Sequence, residues 1–519
     1  MAEYDAIVIG AGHNGLTAGA VMAHDGMRVL IVEKNQYVGG MAATTEVMRG
    51  YRFEIAGSVL FPVPDEIFDA LDLGACPTLE SEVMSVNVGE PGTPPMLFYS
   101  DPEMLMNHLI ETNGMDAVMG MAEVAAWCEA PARAIGRKDV RRPPKTLDEM
   151  FACATNETEH EAIRTAMFGS VMDVIDRHLP DRERHAMLRG MLAFLSVNST
   201  YRGPYTPGSA MCLAFALTAP GTKMIRKVKG GIGALCAHVQ QRFEADGGEV
   251  RLHAKVDEIL TDGGRVSGVR LVDGEVVRAP IVVSNLDPTL TFTKLLDPEV
   301  VPEALRDRVN AIDHRAAYVQ IHFALDGLPE FVDQYAVIND GVLRANMGVF
   351  SSPEQMQRDF ERCARGEVPE SPSFGFQIPS VLDPSLAPEG KHAASAYAFY
   401  FPIVGSREEQ NRLGDVMADR VVARIAQMAP NFPEIIDRRV VYPSYTFELM
   451  FGATGGDFCH GLLHPDLMGP FRPGPRGWLD QPIPVDGLFL SSTGCHGGPG
   501  VTFIPGYNAG FSALDAFHG

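Results

Sequence analysis

Residues 4–34, YDAIVIGAGHNGLTAGAVMAHDGMRVLIVEK, constrain this chain more than any other stretch. YDAIVI is a short apolar run stopped by glycine, as expected of a buried strand. GAGHNG follows, then LTAGAVMAHDG reads as a helix that ends near Gly26, and RVLIVE is a second buried strand. Strand, glycine turn, helix and strand within about thirty residues form a βαβ unit with a parallel pair. The fold class is therefore α/β.

Gly10, Gly12 and Gly15 make the pattern G-x-G-x-x-G in the context it needs, after a strand and opening a helix. Gly10 permits a tight turn, Gly12 lets backbone approach a pyrophosphate, and Gly15 lets helix and strand pack closely. The helix N-terminus supplies free N–H groups and partial positive charge. Glu33 stands about 18 residues beyond Gly15, where a carboxylate accepts from ribose hydroxyls and disfavours a 2′-phosphate. The doublet Gly39–Gly40 offers a second close backbone approach, which suits a cofactor lying across the domain. A second dinucleotide fingerprint is missing. In GGIGALC (230–236) Cys236 takes the third glycine's place, and the preceding KMIRKVK (223–229) is too charged for a buried strand. One dinucleotide unit with one flavin, FAD, is the economical reading.

Formal net charge is −23 with a pI near 5.1, which excludes a nucleic-acid footprint of clustered cations. The run RKDVRRPPK (137–145) is the exception and reads as a solvated loop, with an anionic membrane surface the minor alternative. Eight cysteines are scattered with no C-x-x-C pair, as in a reducing compartment. The apolar run at the N-terminus is preceded by acid and is too short for a signal peptide. The best apolar stretch, MCLAFALTAP (211–220), falls short of a membrane span. A cytoplasmic protein is expected, with peripheral membrane contact left open.

Helical periodicity dominates 102–113, 115–135, 158–177 and 181–196, a region rich in methionine (Met104, Met106, Met115, Met119, Met121, Met167, Met172, Met187, Met191). Most of these read as core filling, although such a region also suits an adaptable apolar pocket. An α/β texture returns over 221–300, with a helix in GGIGALCAHVQQRFEADGG and strands in EVRLHAKVDEIL, RVSGVRLVDGEVVRA and PIVVSNLDP. Strands at 317–325 and 394–401 and a helix at 406–428 follow, and the chain closes on a strand at 487–492 and a helix at 505–516. The expected organisation is a Rossmann-like FAD-binding domain assembled from discontinuous segments (1–95, 221–300 and 480–519). A helical substrate or membrane-facing region (96–220) and a mixed-sheet substrate domain (301–479) complete it.

VIGAGHNGLTAG, EKNQYVGGMAATTE, GYRFEIAGS, VVSNLDP, IPSVLDPSLAPEGKHAASAY, GGDFCHG and LSSTGCHGGPGVTFIPGYNAG occur in family order across almost the whole chain. Together they resemble the phytoene desaturase and carotenoid isomerase superfamily of flavoproteins. The resemblance implies that the adenosine end of FAD lies on Gly10, Gly12, Asn14, Gly15, Glu33 and Lys34. Gly40 and Met41 are then near the diphosphate and ribityl chain, and Val256 meets the adenine through its backbone. The segment Gly494 to Thr502, including Gly500 and Val501, passes along the flavin. Three departures stand out: Met41 where many relatives carry arginine, Glu54 for aspartate, and Gly497 and Pro499 in reversed order.

The candidate catalytic side chains are His460 and His496. His460 of GGDFCHG is a polar group facing the substrate, or else a hydrogen-bonded structural histidine. His496 reads first as ordering its loop, with acid–base work or flavin attachment the alternatives. His464 and His392 read as structural, Cys495 as a small buried residue, and no metal-ligand spacing occurs. The leading function is an FAD-dependent oxidoreductase that desaturates or saturates a hydrophobic, lipid-like or polyene substrate. Its electron partner would be external: oxygen, a quinone or a reductase. The alternatives are a redox-neutral isomerase, a non-catalytic flavin-binding protein, and an amine-oxidase-like enzyme. The last needs an aromatic cage that Trp127 and Trp478 support little.

Overall fold

The computed structural model describes residues 4–57, 62–142, 145–198, 200–221, 227–315 and 318–519. Ala317 of the expected strand, residues 143–144 of the basic run and residues 223–226 of KMIRKVK lie outside these.

The opening βαβ unit forms as its pattern requires. Strand β1 (Ala6–Ile9), helix α1 (His13–His24) and strand β2 (Val29–Val32) are followed far downstream by β3 (Glu249–Arg251), β4 (Ile281–Ser284) and β5 (Leu488–Leu490). These five strands build one all-parallel sheet in the order β5-β4-β1-β2-β3. Every residue of β1, β2, β4 and β5 is buried. Helix α1 and the helices packed on it cover one face, and antiparallel strands within residues 256–277 cover the other, joined by Phe292 and Leu305. Ala6 pairs with Val29 on one side and Ile281 on the other. The order therefore reverses at β1, and a crevice opens beyond the carboxyl ends of the strands at that switch point.

Two helices pack on α1, and glycines set the distance. On one side α2 (Ile232–Ala245) closes on Gly19, where a Cβ would fall 2.7 Å from Ile31 and 3.2 Å from Phe243. On the other side α3 (Ile504–His518) lies so close that a Cβ on Gly506 would stand 2.1 Å from the Asn14 carbonyl oxygen. Glu54 stabilises the start of α2: its carboxylate accepts from the Ile232 amide at 2.8 Å. The GGIGALC turn meets the Thr44–Met48/Tyr51–Glu54 hairpin, with a Gly233 Cβ position 2.4 Å from the Thr44 nitrogen. It holds that hairpin against α2.

EVRLHAKVDEIL divides between two sheets. Glu249–Arg251 ends the parallel sheet, and Val256–Asp262 begins a three-stranded antiparallel one. A seven-stranded mixed sheet forms the second layer of the molecule. Its order is Ile436–Tyr442, Tyr318–Leu325, His392–Phe399, Phe374–Gln377, Asn346–Val349, Val83–Val88, Met96–Tyr99. Val83–Val88, within the segment 1–95, thus pairs with Asn346–Val349 rather than with the cofactor sheet.

The helical region differs from its periodicity at two points: the helix expected over 181–196 begins only at Ala186, and a longer run is broken. The run 158–177 breaks into Glu157–Phe168 and Val171–His178, because Ser170 and Asp173 form a reciprocal capping box that starts a new helix. Met167, Met172 and Met191 are buried as expected. Met104, Met106, Met115 and Met119 are exposed (38–59%), so these four are not core.

Replacing Gly506 by alanine sets a methyl group against a backbone oxygen that no rotamer change relieves. A stability loss of about 1–3 kcal/mol is expected in urea unfolding. An unchanged midpoint would mean that α3 does not sit on α1 as described.

Candidate functional site

The crevice beyond β1 opens into a cavity of ≈ 750 Å³ that runs from the parallel sheet to the mixed sheet. Gly10 has φ +95°, a turn open to glycine, and its amide donates to the Val32 carbonyl at 2.8 Å. Gly15 lies one turn on, under the Gly10 carbonyl, and a Cβ there would be 2.0 Å from that oxygen. Gly15 therefore makes the turn possible without lining the cavity. Gly39 donates to the Ala11 carbonyl at 2.8 Å, and Gly40 rests on Gly12, with a Cβ position 3.3 Å from the Gly12 Cα. The two glycine turns thus form one backbone cradle.

The first turn of α1 carries no acidic residue, and no side chain caps it. Its N–H groups are free for an anion. Beside it, Asn14 Nδ2 and His13 Nε2 are buried without a partner. Further along, the Glu33 carboxylate is buried and aimed by two amides, Ala11 N at 2.8 Å and Asn35 N at 2.9 Å. Lys34 donates to the Leu449 carbonyl at 3.0 Å, and burial lowers its pKa. The anion cradle, the buried carboxylate of Glu33 and the unspent donors in one cavity fit FAD; the first turn of α1 would hold its diphosphate, and Glu33 would accept from a ribose hydroxyl.

Eleven of the sequence-predicted cofactor residues line this cavity: Gly10, Gly12, Asn14, Glu33, Lys34, Gly39, Gly40, Met41, Val256, Gly500 and Val501. Gly494 and Thr502 support the wall. Gly494 packs under the His460 carbonyl, and Thr502 Oγ1 donates to the Gly497 carbonyl at 3.2 Å, holding the loop that presents Gly500 and Val501. His460 lines the cavity. His496 does not: its ring lies against Gly136, with Asp139 and Lys145 beside it, because the loop after the helix Met115–Ala134 covers that side of the C-terminal turn.

Sequence reasoning missed several lining residues. Asn285 and Asp287 stand in SNLDP, where motif order was the only signal. Asn285 Nδ2 donates to the Gly10 carbonyl at 3.2 Å and so braces the fingerprint turn. At the far end Tyr318, Tyr397, Phe399 and Phe458 form an aromatic wall. Tyr318 meets Phe458 edge-on at 5.0 Å and Tyr397 at 6.5 Å. Gly375 makes room for Tyr397, since a Cβ there would fall 2.2 Å from its ring. Trp478 takes no part and donates Nε1 to the Phe471 carbonyl at 2.9 Å.

The cradle, its carboxylate and the aromatic wall define a flavoprotein oxidoreductase site. The chain belongs to the family of flavin containing amine oxidoreductases, whose model matches residues 15–348. It is 28% identical to the mouse (Mus musculus) protein "Pyridine nucleotide-disulfide oxidoreductase domain-containing protein 2", over 98% of this chain and 92% of that one. It is 25% identical to a phytoene desaturase of Neurospora crassa, over 96% and 82%. The fold matches putrescine oxidase bound to putrescine, with a TM-score of 0.60 at 15% identity and 99% of each chain covered. The chain is a flavin-dependent oxidoreductase of this family, related to the carotenoid desaturases and isomerases, and its cofactor is FAD. Among the described residues no helix is long and apolar enough to cross a membrane.

Two outcomes follow from this geometry. Gly12→Val places side-chain carbon 2.8 Å from Asn285 Nδ2 and fills the pyrophosphate approach, so the purified variant should be colourless. A normal yellow spectrum would refute the cradle. The second concerns acid. Burial pushes His13 and His496 down to about 4 and His322 down to about 3. The unfolded chain takes up these protons first, at about pH 6.5. Stability is therefore full above that value and falls as pH drops from about 6.5 toward 4. Thermal midpoints should decline over that window, and less steeply in His496→Asn.

Proposed function

We propose that this flavoenzyme moves a hydride between FAD and a carbon of an apolar, elongated substrate, by desaturation or saturation. Bound FAD supplies the two-electron chemistry; the chain supplies position and a dry environment. One observation carries the reading. The cavity extends past the glycine cradle to a wall of Tyr318, Tyr397, Phe399 and Phe458, so an apolar chain has aromatic faces to lie on. Relatedness to phytoene desaturase supports the same substrate class. Only one dinucleotide cradle is present among the described residues, which supports an external electron partner such as oxygen, a quinone or a reductase.

Oxidation of an amine is the second reading. It is favoured by the tyrosine pair Tyr318 and Tyr397, because aromatic faces also receive a cationic or neutral amine.

Anaerobic titration separates the two. Polyenes or unsaturated lipids should bleach the visible flavin band, with product formed in step, whereas amines should leave it unchanged. Bleaching by amines alone would replace the first reading with the second. Product formed without net bleaching or acceptor reduction would identify an isomerase. Phe458→Asp buries a carboxylate in the aromatic end. It should retain FAD and slow apolar-substrate reduction about a hundredfold, equivalent to ~2.7 kcal/mol.

A further inference from the structure

Beside the cavity, three residues from separate segments form a hydrogen-bonded chain. The Asp457 carboxylate accepts from the Cys459 amide at 2.8 Å and the Gly461 amide at 2.6 Å, and it meets His314 Nδ1 at 3.3 Å. His314 Nε2 lies 3.0 Å from Thr289 Oγ1. Thr289 Oγ1 also donates to the Val309 carbonyl at 2.8 Å, and Thr289 lines the cavity.

This wiring fixes protons. A carbonyl only accepts, so the single hydroxyl proton of Thr289 is committed to Val309. The hydroxyl oxygen then accepts from His314 Nε2, and the carboxylate accepts from Nδ1. Both ring nitrogens must donate, so His314 is an imidazolium. The charges agree: burial alone would lower its pKa, but the bond to Asp457 and the charges of Asp457, Asp287 and Asp313 raise it.

His460 is the counterpart. It lines the cavity, its backbone is held left-handed at φ +52°, and its Nδ1 is buried without a partner. No hydrogen bond ties its ring among the described residues. The charged and titratable groups facing it are Asp287, Asp457, His314, Arg472 and His13. Arg472 spends its guanidinium on carbonyl oxygens of Cys459, Gly461, Leu467, Thr493 and Cys495. Burial is the main influence lowering the pKa of His460; Asp287 and Asp457 pull it upward, and the His314 and Arg472 cations counter that pull.

We propose that the His314 imidazolium, held between Asp457 and Thr289, cancels the Asp457 carboxylate beside His460, so that the buried His460 ring stays neutral as the cavity's proton acceptor and His314 is its positioning residue. The proton-acceptor role rests on the desaturation reading above; the charge assignment does not. Desaturation breaks two C–H bonds on adjacent carbons. Bound FAD would supply the acceptor for one hydrogen with its electron pair. The proton leaves its pair behind for the new C=C bond and goes to a His460 ring nitrogen. In saturation the same nitrogen returns it.

The test reads ring protonation directly, in FAD-loaded protein with ¹⁵N-labelled histidine, using His314→Asn and His460→Asn to assign the two signals. At about pH 7.5, where an ordinary imidazole of pKa about 6.5 is mostly neutral, His314 should show two protonated nitrogens and His460 only one. In His314→Asn the Asp457 carboxylate is left uncompensated, so the His460 titration should move upward, and the acid limb of kcat/KM should move with it. Asp457→Asn should make His314 neutral at the same pH. A neutral His314 in the wild-type protein overturns the proposal without relying on any variant folding. So does an unmoved His460 titration in folded His314→Asn. If no apolar substrate reacts, the desaturation reading fails and the nitrogen signals still decide the charge assignment.

Discussion

The structure depends on one close backbone approach. Gly506 of the last helix touches the Asn14 carbonyl in the first, and Gly510 meets Val21 a turn further on. Side chains on those glycines would push the helices apart. With them apart, the loop carrying Gly500 and Val501 would leave the fingerprint turn. The cofactor cradle is thus the meeting of two chain segments nearly five hundred residues apart, brought together by small residues rather than by charge.

From that contact the cavity acquires two unlike ends. The end at α1 is backbone: amides, glycines and one carboxylate, set to hold charge and hydroxyls. The end at the mixed sheet is side chain: aromatic rings standing on neighbouring strands. Thr289 and His460 also line the cavity, and His314 and Asp457 stand behind Thr289 in a hydrogen-bonded chain.

What was legible in the sequence follows a physical divide. The βαβ unit, its glycine roles and Glu33 are local, and periodicity with turn chemistry specified them. The discontinuous assembly of the domain was legible because α/β texture returns twice. The position of Val83–Val88 was not, since its pairing with Asn346–Val349 is long-range and a six-residue apolar strand carries no address. His496 reads first as ordering its loop, but which neighbour its ring meets is not legible, because that neighbour is Gly136, a residue from another region. The aromatic wall escaped notice for the same reason. Tyr318 opposes Phe399, and Gln320 opposes Tyr397, so one sheet face collects the rings only when the register is known. Met104, Met106, Met115 and Met119 share the composition of their buried neighbours and differ only in which way their helices turn.

The strand order β5-β4-β1-β2-β3 has a consequence for how this protein comes into being. The central strand is synthesised early, yet both neighbours on one side come from beyond residue 280 and residue 487. A nascent chain emerging from the ribosome holds an unfilled sheet edge through most of translation, and pairings of such sequence separation form slowly. The wall that Gly500 and Val501 give the cavity cannot form until α3 has emerged, so the nascent chain carries that open edge without the contact that later closes it.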